Sequence, residues 1–172
     1  MRASLFIFVI SIGYAAAPVR DFDHRVSDYV KLHKKLEAQL PRLKSTDSAE
    51  AITSHQKELS GKIHEARNAA KPREIFTPEI SAEFRRLIAH GMRGHRAQQV
   101  QRSLQHAEPV QVALRINEPY PDNLPLQSMP PTLLQHLPKL PPEVDYRIAG
   151  HSLVLRDVAA NLIVDFIPDA IP

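Results

Sequence analysis

Cysteine and tryptophan are absent from this chain, and glycine occurs only five times in 172 residues. Without cysteine there are no disulfides, no thiol catalysis, no Cys-ligated zinc and no iron–sulfur cluster, so packing and polar contacts alone must hold the fold. The scarcity of glycine argues against a phosphate loop or a dinucleotide fingerprint, in which several glycines let the backbone approach an anion. No Gly-x-Ser-x-Gly nucleophile motif occurs. After residue 12 there is no second apolar run of the kind that opens the chain.

That opening run is the most informative stretch. Arg2 supplies a short positive region, Leu5-Phe6-Ile7-Phe8-Val9-Ile10-Ser11-Ile12 is greasy, and Gly13-Tyr14-Ala15-Ala16-Ala17 offers small residues before Pro18. This is the pattern of a cleavable secretory signal, with cleavage expected after Ala15, Ala16 or Ala17. The run is far shorter than the ~20 residues that span a bilayer, which argues against an uncleaved anchor. The expected mature protein is therefore periplasmic or secreted, with no transmembrane segment left after cleavage.

The net charge of +3 hides a division. Residues 18–108 carry 17 Lys and Arg against 12 Asp and Glu, whereas residues 109–172 carry 4 against 7. Eleven of the 15 prolines lie from Pro109 onward. The expected organisation is a signal peptide over 1–17, a helical region over 18–108, and a proline-rich segment with an antiparallel meander over 109–172.

In the helical region, Phe22, Val26, Tyr29, Val30, His33, Leu36 and Leu40 recur at helical spacing and predict a helix over 20–43, with Pro41 near its end. Asp47 followed by Glu50 resembles a capping box, and the stripe Ile52, Gln56, Leu59, Ile63, Ala66 and Ala70 predicts a second helix that forms a hairpin with the first. Thr77-Pro78-Glu79 starts a third helix with Ile80, Phe84, Leu87 and Ile88 inward, and Gly91 is placed to end it in the left-handed conformation. Residues 95–107 predict a shorter fourth helix.

From Pro109 the period changes to two. Val110, Val112, Leu114 and Ile116 predict a half-buried strand. A short helix is expected around Thr132–His136. A hairpin turning at Ala149-Gly150-His151 and a last strand over 162–167 complete a small antiparallel sheet. Alternation places Val112, Leu114, Ile148, Leu153, Leu155, Val164 and Phe166 on one buried face, and Asp165 on the solvent side. The class is α+β, with helices from 77–107 as the expected cover of the sheet.

Chemistry is sparse in the sequence. Nine histidines occur, yet no two are three or four residues apart, the spacing a helical metal pair needs. His64-Glu65 opens like a zinc-protease helix, but position 68 is Asn68. Asp145, Asp157, Asp165 and Asp169 cluster in the last third, where paired acids can exchange protons if one is desolvated. Asp157 reads better as a turn opener. No catalytic, cofactor-binding or metal-ligating residue is assigned. One basic run stands out: Arg85, Arg86, Arg93, Arg96 and Arg102, with His90, His95 and His106, and no acid before Glu108. Such a run reads first as a solvated helix face; it also suits a polyanion, and on that second reading Arg93, Arg96 and Arg102 are the candidate anion-binding residues. Aromatic interleaving, the mark of single-stranded nucleic acid binding, is missing, so the expected partner is an envelope protein or an anionic envelope component.

Leu140-Pro141-Pro142, Tyr146-Arg147, Gly150, Leu153-Val154-Leu155, Asp157 and Ile163-Val164-Asp165-Phe166-Ile167 together resemble the closing β-meander of small periplasmic modules, among them the nickel/cobalt-homeostasis family. The whole chain is also similar to uncharacterised exported bacterial proteins ending in a run like Leu153–Pro168. The resemblance implies a fold, and Ile148 stands where those metal-homeostasis modules commonly have tryptophan, so it implies no metal ligand here. The reading is an exported, non-enzymatic binding or structural protein without a cofactor. A periplasmic metal-homeostasis protein is the alternative and an enzyme of another type the third.

Overall fold

The computed structural model describes residues 17–43, 48–93, 113–121 and 129–171. Helix α1 runs Ala17–Glu37 and buries Phe22, Val26, Tyr29, Val30 and His33, the stripe expected from their spacing. It stops four residues short of Pro41, in tighter turns that carry Gln39 N–H to Leu36 O and Leu40 N–H to Glu37 O. Helix α2 spans Ala49–Ala66 and is capped by Ser48, whose hydroxyl accepts from the Ala51 amide. The cap is thus one residue later than the Asp47 box expected. Of the predicted stripe, Leu59 and Ile63 are buried, but Ile52 is 45% exposed. Helix α3, Pro78–Gly91, begins as expected, with Thr77 Oγ1 accepting from the Ile80 amide at 3.3 Å. Gly91 is not left-handed: it is the last helical residue, buried against another element. A Cβ there would stand 2.7 Å from His136 Cδ2 and 3.1 Å from Leu133 Cδ2, so its use is close approach. Those side chains belong to or follow the short helix α4, Pro131–Leu134.

Strands β1 (Val144–Ala149), β2 (Ser152–Asp157) and β3 (Leu162–Ile167) form a three-stranded antiparallel sheet in that order. Gly150, with φ 57°, makes the tight β1–β2 turn possible. The α+β class expected from the sequence is the one observed. Residues 113–117, expected as the end of a strand, instead lead into a turn. Asn117 is left-handed at φ 60°, and Pro119 forms an isolated bridge to Leu162 at the edge of β3, flanked by bonds from Asn117 N–H to Ile163 O and from Ile163 N–H to Glu118 O. The rest of that predicted strand and the predicted helix over 95–107 lie outside the described residues, as do residues 1–16 of the expected signal.

One core joins every element. Phe22 of α1 stacks on Phe76 at 5.5 Å and meets Phe84 of α3 at 4.8 Å, while Phe84 meets Tyr146 of β1 at 6.0 Å. Such ring pairs add ~0.5–1.5 kcal/mol each beyond the area they bury. Helices α1 and α3 thus share the cover of the sheet, a role expected of residues 77–107 alone. On the sheet's other face a smaller cluster gathers Tyr120, Ala149, Val154 and Ile163, with Leu114 and Phe166 packed against it.

Leu114 and Phe166 were expected on the main face. For Phe166 the reason is a bulge. Leu155 stands opposite Asp165 and Arg156 opposite Ile163, so Val164 has no opposite residue. The extra residue reverses the alternation beyond it. Val164, Asp165 and Ile167 are buried, and Phe166 goes to the far face. Asp165, expected in solvent, is 1% exposed.

Candidate functional site

His33 and Tyr29 lie on the buried stripe of α1, one helical turn apart, and both reach the carboxylate that ends β2. The Tyr29 hydroxyl donates to Asp157 Oδ2 at 2.7 Å, and His33 Nδ1 lies 2.6 Å from the same oxygen. Asp157 Oδ1 accepts from the Ala160 amide at 2.8 Å, which is the turn role expected for it. The acid is wholly buried, and three donors on two elements satisfy it. On the other side of the imidazole, Nε2 lies 3.5 Å from Glu37 Oε2, one further turn along α1.

The network continues through the Tyr29 ring. The Arg67 guanidinium lies 5.2 Å from its centroid. Arg67 follows α2, is 8% exposed, and donates to Asn117 Oδ1 at 2.9 Å, to Val164 O at 3.2 Å and to Glu74 Oε2 at 3.2 Å. It therefore serves the carbonyl of the bulge residue. Asn117 returns a bond from its amide to Arg67 O. A cleft of ≈440 Å³ opens beside these groups, lined by Arg25, Asp28, Tyr29, Arg67 and Glu74 among others.

Electrostatics follow from the burial. Desolvation, with the charge of Asp157, pushes the Tyr29 phenol well above its usual 10.0, so it remains a donor. For His33, burial is the largest influence and acts downward. The hydrogen bond and charge of Asp157, with Glu37 and Glu143 beyond, outweigh it and raise the imidazole above 6.5. Glu143 is itself lowered, first by the hydrogen bond from Lys34, whose Nζ lies 2.9 Å away.

An Asp–His pair is also half of a nucleophilic catalytic arrangement, in which the second ring nitrogen faces a hydroxyl or thiol. Here that nitrogen faces Glu37, and the imidazole is 1% exposed. The arrangement ties α1 to the sheet.

The other acids have their own partners. Asp165 accepts from the amides of Arg73, Ile75 and Phe76, at 3.2, 2.9 and 2.8 Å, and so anchors the loop before α3, including left-handed Arg73 at φ 69°. Asp145 is bonded to Arg147 and Arg156, and Arg156 lies over the Tyr120 ring at 5.8 Å. Asp169 is exposed in a turn. Among the described residues, no group of three or more histidine or acidic side chains is arranged to hold a metal ion. Also among them, no helix is long and apolar enough to cross a membrane.

Of the basic run, Arg85 donates to Pro168 O at 2.8 Å and Arg86 pairs with Glu83. Arg93 is exposed just beyond α3, and Arg96 and Arg102 lie outside the described residues. Tyr29, Arg67 and Asn117 carry the buried network, and sequence reasoning singled out none of them for it. The one signal was a tyrosine and a histidine on an otherwise apolar stripe. Set beside known protein families, curated proteins and solved structures, the chain has no significant match.

Proposed function

We propose that this chain is an exported protein that acts by binding rather than catalysis, and that its partner is an anionic component of the envelope. The observation that carries the reading is the basic run, five arginines from Arg85 to Arg102 with no acid until Glu108, behind a leader-like segment over 1–17. Arg93 is exposed where the run leaves α3. The buried acids support the non-catalytic part, because Asp157 and Asp165 have their oxygens committed to groups that hold helices and loops in place. Arg93, Arg96 and Arg102 carry the contact, and its character is Coulombic.

Co-sedimentation of the mature protein with anionic vesicles or cell-wall material tests the reading. Retention falls as salt rises, since exposed charges farther apart than ~8 Å are screened at physiological ionic strength. The variant R93Q/R96Q/R102Q is not retained while its thermal unfolding is unchanged. Retention that is insensitive to salt, or equal in the variant, refutes it. Mass spectrometry of the exported protein finds an N-terminus at residue 16, 17 or 18; an intact Met1 refutes cleavage.

A further inference from the structure

Both ring nitrogens of His33 face carboxylate oxygens, Nδ1 that of Asp157 at 2.6 Å and Nε2 that of Glu37 at 3.5 Å. An ionised carboxylate only accepts, so the short contact puts a proton on Nδ1, and the ion-pair distance from Nε2 to Glu37 favours a second one, giving an imidazolium sealed under α1. Its surroundings are acid-rich. Asp157 comes from β2, Glu37 from α1 itself, and Glu143 from the segment before β1. Glu143 Oε2 is buried without a hydrogen-bond partner among the described residues. The cations nearby are engaged elsewhere: Lys34 on Glu143 Oε1, and Arg67, beyond the Tyr29 ring, on Asn117, Val164 and Glu74.

We propose that His33 is a proton-operated latch between α1 and the β2–β3 turn, closed when the imidazole is charged and loosened when it is neutral. Loss of the proton leaves one nitrogen with a lone pair. Nδ1 keeps its hydrogen for the short contact with Asp157, so the lone pair at Nε2 meets the Glu37 carboxylate. Asp157 stays fully buried and loses its counter-ion, retaining only neutral donors from Tyr29, His33 and the Ala160 amide. An uncompensated buried charge is costly, and the strain is relieved where the chain yields most easily. Glu37 is the last residue of α1, where an acid opposes the helix dipole, and its side chain is 45% exposed. The C-terminal half of α1 and the turn over 158–161 are therefore the parts that part company. Histidine is the side chain whose ordinary titration falls between about pH 5 and 8, and an exported protein meets that range outside the cell. The latch is independent of what the arginines bind.

Hydrogen exchange of the full chain, read by mass spectrometry and corrected for the intrinsic pH dependence of exchange, tests it. From about pH 5 to about pH 8, peptides covering 29–40 and 157–161 lose protection in one step that coincides with the NMR titration of the His33 ring, while α3 does not. H33Q keeps an N–H donor but has no proton to release, and it abolishes the step. E37Q changes an exposed position, leaves the fold intact, and moves the midpoint to lower pH by removing one of the carboxylates that favour the charged ring. A flat wild-type profile, the same step in H33Q, or an E37Q midpoint that stays or rises overturns the proposal. Where H33Q does not fold, the E37Q arm decides alone.

Discussion

The Tyr29 hydroxyl and Asp157 Oδ2 meet at 2.7 Å across 128 positions of sequence, so this buried bond, beside that of His33 to the same oxygen, fixes the first helix to the end of the second strand. Y29F removes the donor and leaves the ring. The deleted bond strands part of a buried carboxylate, which costs about 1–3 kcal/mol, visible as a lower urea midpoint with unchanged slope. D157A leaves both Tyr29 and His33 without their acceptor and is expected to cost more than Y29F.

Global stability should depend on pH through His33. Its folded value lies above the 6.5 of an unfolded chain, because Asp157, Glu37 and Glu143 outweigh burial. The folded state therefore holds its proton more tightly than the unfolded state does. The contribution is complete below 6.5 and disappears as pH rises through the folded value. Chemical denaturation at a series of pH values should show this decline in wild type and not in H33Q.

Asp165 should matter more than its place on a strand suggests. D165N exchanges an oxygen that accepts from Ile75 and Phe76, or the one that accepts from Arg73, for an amide group that cannot. The expected cost is about 1–3 kcal/mol, with new protease sensitivity around residues 71–76. Equal proteolysis of variant and wild type would contradict this anchoring.

Phe84 and Phe166 separate the two faces. Phe84 is fully buried among three other rings, and F84A should cost about 3–5 kcal/mol. Phe166 is half-buried on the minor face, and F166A should cost only about 1 kcal/mol from lost apolar area. Thermal unfolding of the pair reads the difference directly.

These contrasts locate what the sequence could and could not reveal. The start of α3 was legible because threonine, proline and glutamate act within one turn of where they stand. The face of α1 was legible because its period is local too, and it even contained His33 and Tyr29. Their partner was not legible. Asp157 lies 124 and 128 residues away, and no local pattern marks a carboxylate that will be covered by a helix. Arg67 lay off the predicted apolar stripe of α2, yet four acceptors, ring included, draw it inward. Ile52 was placed inside by its period, but the core reaches α2 only from Leu59 onward.

The bulge at Val164 carries a consequence for how this chain reaches a unique fold. Strand β3 has two possible inventories for its second half. In straight register it would offer Phe166 to the core and present Asp165 and Ile167 to the outside. In the observed register it turns Asp165 and Ile167 inward and surrenders the ring. Hydrophobicity alone does not choose strongly between a phenylalanine and an isoleucine. The choice falls to the three amides of residues 73–76 that await a carboxylate, and to Arg67, which awaits the Val164 carbonyl. The loop before α3 is thus a selector of strand register. Damage to that loop should populate a slipped isomer of the sheet, with Phe166 inside, rather than a merely softened native state.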